Sequence, residues 1–354
     1  MNRFVLGIQG TALTAAERHF VSRKTPFGFV LFSRNLESAP QAVELISDLR
    51  SLGSPPPLLF VDQEGGTVDR IGPLLGPRFP PASLCAEKGA DRVHECAYLM
   101  GRAARLLGFD VDFAPVLDLA QPGAGAVVLA GRAFGFHSED VVVSGMVFLH
   151  GLARAGIASC VKHFPGLGRG AVDPHRALPV VDAHDVDLMV TDVAPFAKLA
   201  PSADGVMVGH AAYPGLTGDL TPASLSPRIH ELLRGSLGFG GVVYTDDLEM
   251  GALGGPIPDR AERAALSGCD VLMLSKTFEA YEEAMARVAA AGDDPSRERR
   301  LEILRRKCQD SPRPAFDEGI WQVLADDVER FLELLEKPRE KREERQGRDR
   351  ENPS

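Results

Sequence analysis

Eight short apolar runs, separated by helix-length stretches, recur between residues 4 and 274 of this 354-residue chain. They fall at 4–9, 28–32, 57–61, 111–117, 157–161, 205–208, 241–244 and 270–274. Most are apolar at nearly every position, the pattern of strands buried on both faces of a parallel sheet. The intervening stretches read as helices at 40–52, 92–107, 139–155, 186–199, 227–237 and 261–266, with Val43, Ile46 and Leu49 on one face of the first. Eight strand–helix units predict an α/β fold closed into a (β/α)8 barrel. An open doubly wound sheet is the alternative, because strand order is not written in the sequence.

The barrel is expected to span residues 1–292. Two further helices follow within 293–336: a basic amphipathic one at 297–308, and one at 321–335 with Leu324, Val328, Phe331, Leu332 and Leu335 at helical spacing. Both are expected to pack on the outside of the barrel. The charged, polar residues 337–354 are expected to be disordered.

The net charge of −10 argues against an extended nucleic-acid surface, which needs clustered Lys and Arg. No apolar run has the length of a membrane span, and the first residues lack the pattern of a secretory signal. Cys85, Cys96, Cys160, Cys269 and Cys308 form no C-x-x-C pair and read as buried free thiols in a reducing compartment. A cytoplasmic protein, acting as a monomer, is the expectation.

In a barrel of this kind the chemistry lies at the C-terminal ends of the strands. Those ends are polar here: Asp62 and Glu64 follow the third run, Asp118 the fourth, Lys162 and His163 the fifth, His210 the sixth, Asp246 and Asp247 the seventh. Each alone has a structural reading; Glu64 or Asp118 suits a helix cap or a loop tie. The loop after Lys162-His163-Phe164-Pro165-Gly166 adds Asp173 and His175. Carboxylates that accept and cations that donate suit a neutral, hydroxyl-rich ligand. The sequence lacks His-Glu-x-x-His, a Cys/His cluster and an Asp-rich calcium loop, so no metal or cofactor is expected.

Six motifs, in this order, carry a family resemblance: Val61-Asp62-Gln63-Glu64-Gly65-Gly66, Phe113-Ala114-Pro115-Val116-Leu117-Asp118, Gly131-Arg132-Ala133-Phe134-Gly135, the Lys162–Gly166 stretch, Asp173-x-His175 with Leu178-Pro179, and Thr245-Asp246-Asp247-Leu248. The chain resembles the β-N-acetylhexosaminidases of glycoside hydrolase family 3, in the short single-barrel form of bacterial cell-wall recycling. The resemblance implies Asp246 as nucleophile, His175 as general acid/base paired with Asp173, and Asp62, Arg70, Arg132, Lys162 and His163 as holders of the N-acetylglucosamine ring. From the residues alone, Asp246 and Asp247 are equal candidates. The implied partners are N-acetylglucosamine-containing cell-wall fragments.

These roles make chemical sense. A retaining glycosidase needs a nucleophile on one side of the anomeric carbon and a proton donor at the leaving oxygen. Imidazole serves first as acid and then as base near neutral pH. A carboxylate two residues away fixes its tautomer. Gly166, Gly168 and Gly170 are expected to let the 167–178 loop move without ligand.

The chain departs from the family's pattern at Leu167 and Arg169, where His and Asp are usual, at Pro174, where Ser is usual, and at Thr67, where Arg is usual. Pro174 restricts both itself and Asp173, either presetting the dyad or holding His175 out of reach. Two alternatives to hydrolysis stand: a phosphorylase using the same groups, since a neutral His does not repel phosphate, and, because the loop is altered, a sugar-binding barrel without catalysis.

Overall fold

The structure, a computed structural model, describes residues 2–121, 129–170, 172–276, 278 and 280–337. Eight parallel strands close in chain order into a barrel. They are β1 (Phe4–Leu6), β2 (Gly28–Leu31), β3 (Leu58–Val61), β4 (Val111–Asp112), β5 (Ala158–Phe164), β6 (Gly205–Val208), β7 (Val242–Asp247) and β8 (Val271–Leu274). The barrel closes where Phe4, Val5 and Leu6 pair with Leu272, Met273 and Leu274. Around it run α1 (Ala15–Arg23), α2 (Ala39–Arg50), α3 (Ala90–Leu107), α4 (Ser138–Ala155), α5 (Ala194–Leu199), α6 (Pro227–Glu231), α7 (Ile257–Ser267) and α8 (Tyr281–Ala290).

The strands show period-two packing beneath their uniform hydrophobicity. Leu58, Phe60, Val242, Tyr244, Val271 and Met273 belong to an inner cluster, while Leu59, Val61, Val243, Leu272 and Leu274 belong to the layer shared with the helices. Phe60 stacks on Phe113 at 5.2 Å, and Tyr244 meets both edge-on, filling the middle of the barrel. The barrel interior is thus packed beneath its polar rim.

Three expectations are refined. The expected fourth strand, 111–117, is a regular strand only at Val111–Asp112. Pro115 has no N–H to give, and the chain rejoins the sheet through a single bridge from Val116 to Lys162. The helix expected at 186–199 is two short helices, Asp185–Val190 and α5, because Pro195 starts a new first turn. The two C-terminal helices, α9 (Pro295–Asp310) and α10 (Glu318–Glu336), do different work.

α10 lies outside, burying Leu324, Val328 and Phe331 and packing mainly on α3. α9 does not lie outside: Leu301, Leu304 and Cys308 join the inner cluster, so this helix covers the floor of the barrel. Its polar residues explain the placement. Lys307 binds Asp204, Arg300 binds Asp270, and Cys308 Sγ approaches the Asp110 carbonyl. Those three aspartates stand immediately before β6, β8 and β4, at the strands' N-terminal ends. The expected tail, 337–354, lies outside the described residues beyond Lys337.

Candidate active site

The site is built where β3, β5 and β7 run out of apolar residues. Two residues beyond Phe60, Cys160 and Tyr244, on the same side of each strand, come Asp62, Lys162 and Asp246. Two strands are longer than the sequence indicates, because Lys162, His163, Asp246 and Asp247 are in the ladder and not beyond it. Each of the two carries one extra residue. Val161 and Phe164 pair with Val206 and Val208, while Tyr244 and Asp247 pair with Val271 and Met273. Bulges of this kind re-aim side chains, and both fall at site residues.

Lys162 is buried and its Nζ contacts Asp62 Oδ1 at 2.5 Å and Glu64 Oε1 at 2.6 Å. Arg132 grips Glu64 with two bonds, Nε to Oε2 at 2.7 Å and Nη2 to Oε1 at 2.9 Å. Burial opposes the charge on Glu64, but Lys162 and Arg132 outweigh it and hold this carboxylate below its usual range. Burial likewise opposes the charge on Lys162; Asp62 and Glu64 outweigh it and hold the ammonium above its usual value. Gly65 and Gly66, both left-handed at φ 84° and 59°, turn the chain after Glu64. A Cβ on Gly65 would stand 2.3 Å from the Pro80 carbonyl oxygen, so the turn needs glycine there.

His163 donates from Nδ1 to Asp118 Oδ2 at 2.6 Å, which leaves Nε2 as its other hydrogen-bonding atom. Asp118 also accepts the Leu167 amide at 2.7 Å, so one fully buried carboxylate ties the imidazole to the root of the following loop. Arg70 is placed by Gln63, whose Oε1 accepts the Arg70 and Ile71 amides at 3.0 and 2.9 Å. Among the described residues the Arg70 guanidinium donates to Ser33 Oγ, at 3.5 Å.

Asp246 is partly exposed, and its Oδ1 accepts the Asp247 amide at 2.8 Å. Desolvation raises its pKa, but His210, His163, the Asp247 amide and Lys162 together hold it below the ordinary aspartate value. Asp247 is different. Burial raises it, and its carboxylate is engaged by Ser275 Oγ at 2.5 Å and the Glu249 amide at 3.1 Å. One aspartate is thus ionised and open to the site, and its neighbour ties loops together.

Asp173 and His175 lie apart from this group. Asp173 Oδ1 accepts His175 Nδ1 at 2.8 Å and the His175 amide at 2.9 Å. The His175 amide is the main cause holding Asp173 below its usual value. The His175 side chain is 67% exposed, and no hydrogen bond among the described residues links it to Asp246. The loop is tied at two points. At its root Arg169 Nε binds the buried Asp192 at 2.7 Å, in the break between the two short helices. Further on, the Pro174 carbonyl accepts the Ala252 amide at 2.9 Å, joining it to the loop after β7. Leu167 is buried, and Thr67 is exposed.

The structure therefore gathers Asp62, Lys162, Arg132, His163 and Asp246 and holds the His175–Asp173 pair on a loop above. The sequence offers Glu64 as a cap or loop tie, whereas in the structure it is the shared partner of Lys162 and Arg132. Its signal was the Asp-x-Glu spacing ahead of paired glycines.

An eight-stranded parallel barrel with carboxylates and cations gathered at the C-terminal ends of its strands has the layout of an enzyme, on a fold that many activities share. The model of the glycosyl hydrolase family 3 N-terminal domain matches residues 5–303. The chain belongs to glycosyl hydrolase family 3, in the branch whose curated members are called β-hexosaminidase. It is 36% identical to the β-hexosaminidase of Tolumonas auensis over 283 residues, covering 77% of this chain and 82% of that one. It is also 36% identical to that of Pseudomonas aeruginosa over 288 residues, covering 80% and 85%. Among solved structures it is similar to NagZ from Neisseria gonorrhoeae, crystallised with N-trifluoroacetyl-D-glucosamine, with a TM-score of 0.79 and 25% identity over 93% of this chain and 98% of that one. A family 3 glycosyl hydrolase from Mycobacterium smegmatis superposes with a TM-score of 0.76 at 33% identity, covering 89% and 96%.

Proposed function

We propose that the chain is a retaining, exo-acting β-N-acetylglucosaminidase that releases terminal β-linked N-acetylglucosamine from cell-wall fragments, in peptidoglycan recycling. The observation that carries this reading is the ionised, partly exposed Asp246 beside the Lys162–Asp62–Glu64–Arg132 network. The curated relatives called β-hexosaminidase, and a neighbour solved with an N-acylated glucosamine, support it.

Asp246 attacks the anomeric carbon and forms a glycosyl-enzyme, which water then hydrolyses. His175 protonates the leaving oxygen through Nε2 and later takes a proton from that water, while Asp173 accepts a hydrogen bond from Nδ1–H. The loop carrying them closes over bound sugar to bring Nε2 to the glycosidic oxygen. Asp62, Lys162, Arg132, His163 and Arg70 hold the ring by hydrogen bonds to its hydroxyl and amide groups.

The reading takes residues 1–292 as the catalytic barrel, 293–336 as its accessory helices, and the chain as a cytoplasmic monomer. All five cysteines are free and buried, which suits a reducing compartment. Among the described residues no helix is long and apolar enough to cross a membrane.

Release of nitrophenol from the β-N-acetylglucosaminide, compared with the β-glucoside, tests the reading. Turnover of the N-acetyl substrate alone, abolished in Asp246→Asn, is the expected result. No turnover of either by the wild type overturns it.

A further inference from the structure

The bulge that aims Asp246 is held from behind by a buried residue. His210, at the end of β6, is 1% exposed. Its Nε2 lies 2.9 Å from the carbonyl oxygen of Asp247, and its Nδ1 lies 2.8 Å from Ser224 Oγ. A carbonyl only accepts, so Nε2 must carry a proton. Burial lowers the His210 pKa, partly opposed by Asp246, and a neutral ring has only one N–H. Nδ1 is therefore bare and accepts the Ser224 hydroxyl proton.

Ser224 is well fixed for that role. It is fully buried in a short 3-10 turn, Ala223–Leu225. Its amide donates to the Gly209 carbonyl at 3.1 Å, and the Ala223 amide to the Ala211 carbonyl at 2.8 Å, so the turn is tied to the strand end carrying His210. The Asp247 backbone is thus engaged at both of its groups: its carbonyl accepts from His210 Nε2 and from the Met250 amide at 3.0 Å, and its N–H donates to Asp246 Oδ1. The Asp247 carboxylate holds Ser275 and Glu249.

We propose that His210, set in its Nε2–H tautomer by the Asp247 carbonyl and braced at Nδ1 by Ser224, is the positioning residue that holds the β7 bulge and so aims the Asp246 carboxylate at the anomeric carbon. The inference rests on the proposed reading of Asp246 as nucleophile. It assigns to the pair a part in turnover distinct from sugar binding: among the described residues no hydrogen bond links His210 to Asp246, and His210 acts through the Asp247 backbone.

The experiment measures kcat and KM on nitrophenyl β-N-acetylglucosaminide for wild type, His210→Leu, His210→Gln and Ser224→Ala, with N-acetylglucosamine affinity and melting temperature measured alongside. His210→Leu removes the donor and should lower kcat by about 30- to 100-fold with KM and sugar affinity within about twofold, the scale of a displaced reacting group. His210→Gln puts an amide N–H near the lost Nε2 and should restore at least fivefold of that kcat. Ser224→Ala, a small change that removes the brace at Nδ1, should lower kcat by several-fold without weakening sugar binding. A His210→Leu enzyme within twofold of wild-type kcat overturns the proposal, as does equal loss in Leu and Gln variants. If His210→Leu does not fold, Ser224→Ala decides: unchanged kcat overturns the proposal. A wild type without turnover overturns the hydrolase reading and the proposal with it; an active wild type with indifferent variants overturns the proposal alone.

Discussion

Lys162 Nζ and Glu64 Oε1 meet at 2.6 Å with neither side chain more than 3% exposed. Such a pair is stable only because each ion has a second partner, Asp62 for the lysine and Arg132 for the glutamate. The four residues form a charged chain from β3 to β5 and to the loop carrying Arg132.

Glu64→Ala breaks that chain in the middle. Removing one member of a buried ionic group typically costs about 3–5 kcal/mol, because the partners stay buried and uncompensated. A fall in the urea midpoint and a raised KM for the N-acetyl substrate are expected. Unchanged stability and KM would show Glu64 to be an ornament of the turn.

His175→Ala tests the exposed dyad. A general acid contributes about 10²- to 10⁴-fold when the leaving group is poor and much less when it is good. Glycosylation by dinitrophenyl substrates should therefore be slowed less than by alkyl glycosides, with added azide restoring turnover in the deglycosylation step. A uniform loss across leaving groups counts against the assignment.

Acid should destabilise the fold through His230. This imidazole is nearly fully buried, and burial pushes it down to about 4. The unfolded chain takes up its proton near pH 6.5 and the folded chain does not until about pH 4, so stability falls as pH drops through that window. The shift corresponds to roughly 3 kcal/mol. His230→Phe should flatten this part of a stability-versus-pH curve, whatever it does to the plateau. An undiminished slope would place the acid sensitivity elsewhere.

Arg169→Ala should loosen the root of the His175 loop and leave Asp192 buried without its cation. The stability cost is about 1–3 kcal/mol. Proteolysis within 167–178 should also become faster, while the fluorescence of the lone tryptophan, Trp321 on α10, stays unchanged. Equal protease resistance in wild type and variant would remove Arg169 from the account of the loop.

Leu304→Ala tests the floor. Leu304 is 3% exposed in the inner cluster, and truncating such a side chain costs about 2–5 kcal/mol. A surface helix residue such as Ile303, 57% exposed, should tolerate the same change. Similar melting temperatures for the two variants would contradict the placement of α9.

Much of the barrel was legible, because continuous apolar runs and helical periodicity report burial directly. Hydropathy misjudged the ends of β5 and β7, where Lys162, His163, Asp246 and Asp247 look like chain leaving a sheet. The upper barrel interior is polar, so those residues stay in the ladder. The floor was hidden for a different reason: the amphipathic pattern of α9 shows that one face is covered but not by what. At the site, the residue types were readable and their partnerships were not. Nothing local to Glu64 announces Arg132, 68 positions later, and nothing local to His175 says that its side chain is left exposed.

The covered floor has a bearing on synthesis. β8 ends at Leu274, yet the helix that seals the base runs from Pro295 to Asp310. A nascent chain that has already paired its first strand with its last still presents Leu58, Val111 and Val271 to water at the unsealed end, until another thirty or more residues emerge from the ribosome. Interrupted translation in that interval would yield a ring complete in its strands but open below, a natural client for chaperones.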